Sequence, residues 1–404
     1  MATPKLRFKE FDGDWSESKL KDCIDSIDSG WSPQCESYPA DENEWAVLKT
    51  TSVDWDGFKA NFNKKLPSNL EARFEIEVKP NDILVTRAGP TERVGVVAVV
   101  PHNVRSKLMI SDKLIRLKAN NENNPEFLGI SLSSVKCQNQ LQSKTSGLAK
   151  SQTNISQKIL CDVSLMTPAK AEQTKIASFL SNVDEKISQL TQKHQLLSQY
   201  KQGMMQKLFS QQIRFKAGDG SEFGEWEEKE LKEVAEINPK AKKLPANFIY
   251  IDLESVEKGQ LLLQKNIELQ DAPSRAQRLL AKGDVLFQMV RPYQQNNYYF
   301  NLSGEYVAST GYAQIRTKLD SKFIYYALHE KTFLDEVMNR CTGTSYPAIN
   351  SSDLSSIEMF VPCLEEQTKI ANFLSAIDQK IEVVAQQIEQ AKTWKKGLLQ
   401  QMFV

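Results

Sequence analysis

Histidine is scarce in this chain, three in 404 residues (His102, His194 and His329), and none lies in a motif. There is no GxxxxGK[ST] loop, no GxSxG elbow and no HExxH. Those absences argue against P-loop phosphoryl transfer, hydrolase-type nucleophilic catalysis and zinc-dependent peptidase chemistry. No cluster of carboxylates around a lysine suggests a nuclease. The six cysteines (Cys23, Cys35, Cys137, Cys161, Cys341, Cys363) include no CxxC pair, so they read as reduced, buried residues rather than a zinc site or a disulfide frame. No apolar run approaches the ~20 residues needed to cross a bilayer, and the opening MATPKLRFKE lacks the apolar centre of a signal peptide. The expectation is a cytoplasmic protein without a membrane partner. Formal net charge is zero, which weighs against a free-standing nucleic-acid binder, since phosphate contacts need clustered cations.

What is present is a duplication. Pro168 to Ile187 reads PAKAEQTKIASFLSNVDEKI and Pro362 to Ile381 reads PCLEEQTKIANFLSAIDQKI, identical at thirteen of twenty positions. An internal repeat of that quality governs the reading of the fold. A fainter echo opens each half: Leu6-Arg7-Phe8 against Ile213-Arg214-Phe215, then Trp15 against Trp226. Between these heads and tails the two bodies share little.

From Ile176 the apolar residues of the first tail step by heptads: Ile176, Val183, Leu190, Leu197 and Met204, interleaved with Leu180, Ile187, His194, Lys201 and Leu208. The second tail repeats this with Ile370, Ile377, Val384, Ala391 and Leu398, and with Leu374, Ile381, Ile388, Lys395 and Met402. Five heptads without proline predict long coiled-coil helices, each on the order of 50 Å. Their apolar stripes need a partner, and the nearest is the other copy. Only a short link separates Phe209 from the second head, so the pair is expected antiparallel, with Val183, Ile187 and Leu190 facing Ile377, Ile381 and Val384 or their neighbours. His194, Lys201 and Lys395 occupy seam positions, where either the seam frays toward its ends, their stems snorkel, or they fix register. Glu172, Gln173, Glu366 and Gln367 recur in the first turns, where they could cap the helix or mark a partner-docking surface.

Each body reads as mixed α and β. Asn81 to Arg87 and Gly283 to Met289 share the form of a turn followed by a strand, Val94 to Val100 reads as a buried strand, and Phe127 to Val135 and Phe323 to Val337 read as helices. Lys79 to Lys118 and Arg275 to Lys318 carry excesses of cations, which suit phosphate contact or simply a solvated face. A polar loop precedes each tail, Ser143 to Ile155 and Arg340 to Ile349, with the hydroxyl, glycine and cation content that phosphate or base-edge contact requires. Such loops are also a common route from strand to helix. The stretch Arg291 to Tyr299 is richer: Gln and Asn can pair with adenine, Arg with guanine, and Tyr can stack. Candidate DNA contacts are therefore Arg87, Arg93, Lys107 and Lys144 in the first body. In the second they are Arg291, Tyr293, Gln294, Gln295, Asn296, Arg340, Thr344 and Tyr346.

Asn124-Pro125-Glu126-Phe127 is close to the NPP-aromatic loop of amino-methyltransferases, but the second proline is absent and no glycine-rich cofactor loop precedes it, so it reads as a helix start. The chain as a whole resembles the specificity subunit of type I restriction-modification enzymes. The resemblance rests on two unlike bodies, each followed by a like helix opening P-x3-EQ-x2-I-A-x-F-L-S-x2-D-x-K-I. It implies an α+β fold with two α/β target-recognition domains, residues 1–165 and 212–360. Two spacer helices, residues 166–211 and 361–404, would form an antiparallel coiled coil with pseudo-two-fold symmetry. It also implies a non-catalytic reader of a split, asymmetric site in double-stranded DNA. This reader would dock two methyltransferase (modification) subunits and be joined by restriction (translocase/nuclease) subunits. No cofactor is expected on this chain; S-adenosylmethionine, ATP and Mg are expected in the partners. The alternative from the residues alone is a coiled-coil scaffold whose two bodies bind proteins without DNA.

Overall fold

The computed structural model describes residues 3–145, 153–241 and 243–403. The chain divides into two compact units, Met1–Gln189 with Gln387–Val404, and Leu190–Gln386.

In the first unit a four-stranded antiparallel sheet has the order Ile24–Ser29, Leu114–Ala119, Ile83–Thr86, Val97–Val99. The central strand Ile83–Thr86 is buried throughout, which explains its unbroken apolar run. Its side chains alternate between two cores: Ile83 and Val85 join a cluster with Phe127, Leu128 and Ile176, whereas Leu84 joins one with Val47 and Leu108. The second core lies under a smaller sheet in which Leu108–Met109 pairs parallel with Ala46–Leu48, and Asn63–Lys65 antiparallel with it.

The second unit repeats this plan from different residues. Its main sheet runs Ala235–Ile237, Tyr312–Thr317, Val285–Gln288, Tyr298–Tyr299. Val285 and Phe287 point into one core and Leu286 into the other. The second sheet again holds one parallel pair, Asn247–Ile251 with Tyr306–Ser309, flanked by Lys265–Glu268 and Ala276–Leu279. The bodies that share little sequence thus share strand order.

Both expected body helices are broken in two. Pro125–Ser133, opened by Asn124 accepting the Phe127 N–H, stops where Ser134 caps Val135–Gln142. Ser321–Ala327 stops before Glu330, whose carboxylate accepts the N–H groups of Thr332 and Phe333 to start Lys331–Asn339. A side-chain acceptor at such a position favours a new start over a continued helix.

The long helices span Lys170–Phe209 and Leu364–Met402, each entered from a strand (Ser164–Thr167 and Glu358–Val361) paired with the head of its own half. At 40 and 39 residues they measure about 60 Å. The expected seam residues are all buried or half-buried: Ile176, Leu180, Val183, Ile187, Leu190 and Leu197 on the first helix, and Ile370, Leu374, Ile377, Ile381, Val384 and Ile388 on the second. Their partners differ from the expectation. Val183 and Ile187 cluster with Leu398 in the first unit, while Ile377 and Ile381 cluster with Met205 and Leu208 in the second. Lys395 bonds Asp184 at 2.5 Å in the first unit, and Lys201 bonds Asp378 at 2.6 Å in the second. These two pairs are copies of each other, so the lysines at seam positions neither fray nor merely snorkel.

All six cysteines are free; Cys23 and Cys137 are buried, Cys35, Cys161 and Cys341 half-buried, and Cys363 is exposed, against the expectation that all would be interior. Among the described residues no helix is long and apolar enough to cross a membrane.

Candidate nucleic-acid interface

In each unit the polar loop before the long helix is laid against the exit of the central strand. In the first, Thr153–Asn154 pairs antiparallel with Ala88–Gly89, and Ile155 N–H donates to the Arg87 carbonyl at 3.0 Å. In the second, Ala348 bridges Val290, Arg291 N–H donates to the Pro347 carbonyl at 2.7 Å, and Ile349 N–H to the Met289 carbonyl at 3.1 Å. Residues 146–152 of the first loop lie outside the described residues. Chain segments far apart in sequence thus meet at one edge of each body.

Among the described residues the second unit presents the more exposed edge. Arg291 and Gln295 both adopt left-handed backbone (φ 55° and 52°) around the short 3-10 turn Pro292–Gln294, a conformation that side-chain-bearing residues hold only when the surroundings impose it. The Arg291 guanidinium lies 4.3 Å from the centre of the Tyr346 ring, a cation–π stack. It joins the two loops that sequence reasoning had singled out separately. Tyr293 and Tyr346 are 51% and 64% exposed, and Gln294 and Thr344 also face solvent. These five residues form a rim of donors, acceptors and stacking faces suited to base edges.

Three other candidates of this body are structural. Asn296 Oδ1 accepts the Lys258 N–H at 2.9 Å while its own N–H donates to Gln288 Oε1. Arg340 donates to the Asp353 carbonyl and to Ser356 Oγ, tying its loop to Ser351–Ser355. Gln295 is half-buried at the second left-handed position. Sequence reasoning placed all three at the surface because polar type alone does not distinguish a loop's frame from its tip.

The first unit corrects the charge argument more strongly. Arg93 is paired with Asp54 at 2.8 Å and donates to the Val53 carbonyl. Lys59 and then Arg93 hold the Asp54 carboxyl down to about 2. Lys107 donates to the Asn43 carbonyl at 2.8 Å from a left-handed backbone. Arg116 is held by Asp28 and Asp82, Lys79 by Glu77, and Arg105 by carbonyls of Glu42 and Glu44. The cation excess of Lys79 to Lys118 is therefore largely balanced by acids and carbonyls of its own body. Arg87 remains, half-buried, at the strand exit, and Lys144 is exposed beside the undescribed loop. Sequence reasoning missed Thr91 and Thr153, whose hydroxyls lie 2.7 Å apart across this edge; no local pattern marks them.

Glu172, Gln173, Glu366 and Gln367 do not form a docking surface. All four are at most 2% exposed. Glu172 accepts from Arg7 at 2.7 Å and from Trp15 Nε1, and Glu366 accepts from Arg214 at 2.7 Å and from Trp226 Nε1. Gln173 and Gln367 donate to the carbonyls of Pro168 and Pro362 and accept the backbone N–H groups of Asn124 and Asp320. The repeat of these four residues reflects a repeated internal clasp, to which the faint echo of Arg7 and Trp15 in Arg214 and Trp226 was the clue.

A family model described as "Type I restriction modification DNA specificity domain" matches residues 13–199 and 224–393. The chain is 26% identical over 417 residues to the type I restriction enzyme MjaVIII specificity subunit of Methanocaldococcus jannaschii, covering 97% of this chain and 94% of that one. It is 37% identical over 187 residues to the EcoEI specificity subunit of Escherichia coli, a match covering 46% of this chain and only 31% of that relative. Among solved structures, the S subunit of a type I restriction-modification system from M. genitalium superimposes with a TM-score of 0.64 at 17% identity, over 100% of this chain and 99% of that one. With both matched segments falling on the two bodies and their helices, the chain belongs to the type I restriction-modification DNA specificity family.

Proposed function

We propose that the chain is the sequence-reading subunit of a type I restriction-modification complex, recognising a bipartite, non-palindromic site in double-stranded DNA. The supporting observation is that the same edge of the same fold, central-strand exit plus pre-helix loop, carries unlike chemistry in the two bodies. One body offers Arg87, Thr91 and Lys144, with the buried Thr153 hydroxyl behind Thr91; the other offers Arg291, Tyr293, Gln294, Thr344 and Tyr346. Two different reading edges imply two different half-sites.

In this reading the chain carries no catalytic role. Two methyltransferase subunits that use S-adenosylmethionine, and restriction subunits that use ATP and Mg, supply the chemistry in the cytoplasm. The long helices set the gap between half-sites, and about 60 Å is more than one turn of duplex at roughly 34–36 Å. The test is methylome sequencing of a host carrying the intact system. A split, asymmetric methylated motif is expected. Replacing Tyr293, Gln294 and Tyr346 with alanine should relax the half-site of the second body alone, each lost bidentate contact costing ~1–3 kcal/mol. A continuous palindrome, or a change at both half-sites together, overturns the assignment.

A further inference from the structure

The exposed turn of the second body rests on an internal hydrogen-bonded chain whose far end is His329. This residue is half-buried, and both its ring nitrogens face protein atoms. Nδ1 lies 2.7 Å from the Tyr325 carbonyl oxygen, which can only accept, so Nδ1 carries the proton and Nε2 is left as an acceptor. Nε2 lies 3.4 Å from Asn297 Nδ2. The Asn297 amide cannot turn over, because its Oδ1 accepts the Gln288 N–H at 2.8 Å. Gln288 Oε1 in turn accepts the Asn296 N–H at 3.0 Å, and its Nε2 donates to Gln294 Oε1 at 2.9 Å. Asn297 and Gln288 are 1% and 2% exposed, so neither can exchange these bonds for water without opening the body.

This chain ends on the exposed Gln294 and spans the turn between its two left-handed residues. The corresponding strand end in the first body, Thr86, holds its loop directly, its hydroxyl accepting the Val96 N–H at 2.9 Å. We infer that His329 is a positioning residue for DNA reading: by accepting from Asn297 it fixes the Arg291–Asn297 turn and so sets the base preference of the second body without touching DNA. The inference rests on the reading of that turn as a DNA-facing edge.

The experiment compares methylomes of hosts carrying the complete system with the wild-type chain, His329→Leu, His329→Gln, Gln288→Met, and the triple replacement Y293A/Q294A/Y346A. His329→Leu removes the acceptor and should cut discrimination at the second half-site by about tenfold or more, the scale of one lost bidentate contact. The first half-site should be unchanged. His329→Gln, whose carbonyl oxygen can accept from Asn297, should restore the preference, which a role in packing alone would not produce. Gln288→Met interrupts the same chain from the turn side and should reproduce the His329→Leu pattern if that variant proves too unstable to assay. If the triple replacement changes the second half-site while His329→Leu and Gln288→Met leave it intact, the positioning role is wrong and the DNA-facing edge stands. Should none of the variants change it, both fall.

Discussion

The two bodies reach one strand order by different sequences, and their differences collect at one edge. Inside, the requirement is the same: a central strand whose alternate side chains enter two cores, met by Ile83-Leu84-Val85 in one and Val285-Leu286-Phe287 in the other. Any large apolar residue satisfies that, so the fold tolerates divergence. At the strand's last residue the solutions part. Thr86 holds its loop with a short hydroxyl, whereas Gln288 reaches further with an amide and supports a turn containing two left-handed residues. A longer reach from the same strand end permits a turn of different shape, which is how one architecture can carry two unlike surfaces.

The largest expected effect tests the shared interior. Val85 and Phe287 occupy equivalent places, both nearly inaccessible. Phe287→Ala should destabilise the second body by about 4 kcal/mol, against about 2 kcal/mol for Val85→Ala in the first, because the cavity is larger. Urea denaturation followed by probes in each body would read both; equal losses would break the equivalence.

Next come the clasps. Glu366→Ala leaves Trp226 Nε1 without its acceptor and Arg214 with only the Gly224 carbonyl, and removal of one partner of a buried pair should cost on the order of 3 kcal/mol. Glu172→Ala should cost a similar amount in the first body. Thermal melts of the two variants should therefore shift alike, and a silent variant on either side would show that the two clasps differ in kind.

The duplicated ion pairs should respond unequally. Asp184 is half-exposed beside Lys395, and its replacement by alanine should cost no more than about 1 kcal/mol. Asp378 also accepts from the Tyr326 hydroxyl at 2.6 Å, so Asp378→Ala leaves that part-buried donor only the longer contact to Ser375 Oγ at 3.3 Å and should cost about 1–3 kcal/mol. Denaturation midpoints decide, and identical costs would remove the Tyr326 contribution.

The smallest effect is acid sensitivity of the second body. Desolvation, reinforced by the charge of Lys201, lowers the His329 pKa below its ordinary value of 6.5, with the Tyr325 and Gln295 carbonyls and the charge of Asp378 opposing. The unfolded chain then takes up the proton first, so stability is full above about pH 6.5 and falls as pH drops, by at most about 1.4 kcal/mol per unit from this group. His329→Gln should flatten that part of the stability profile, measured by chemical denaturation between about pH 5 and pH 7. An unchanged slope would place the acid response elsewhere.

The long helices and central strands were legible in the sequence because burial leaves a local period: heptads in one, an unbroken apolar run in the other. The duplicated EQ pair was visible too, but its meaning was not, since Arg7 and Trp15 lie more than a hundred residues from Glu172 and only the fold brings them together. Shorter but still non-local separations, 39 and 64 residues, hid the pairing of Arg93 with Asp54 and of Lys107 with Asn43, so a cation excess that looked like a phosphate-binding face is largely internal. Of the reading edge, Arg291, Tyr293, Gln294 and Tyr346 were picked out by residue type. Asn296 and Arg340 were picked out by the same criterion and serve the frame instead. Type could not separate them, because the distinction lies in which way each side chain turns.

The clasps also determine what each body is as a polymer. Arg7 and Glu172 stand 165 residues apart, and Arg214 and Glu366 stand 152 apart, so each body is a loop pinned at its neck. The entropy of closing such a loop depends only on the logarithm of its length, about 0.6 kcal/mol for a full doubling, and the two lengths differ by far less than that. The neck is thus nearly indifferent to how much chain it encloses. Insertions, deletions and wholesale rewriting between Trp15 and Pro168, or between Trp226 and Pro362, leave the neck's own thermodynamics almost untouched, provided the enclosed chain still builds its two cores.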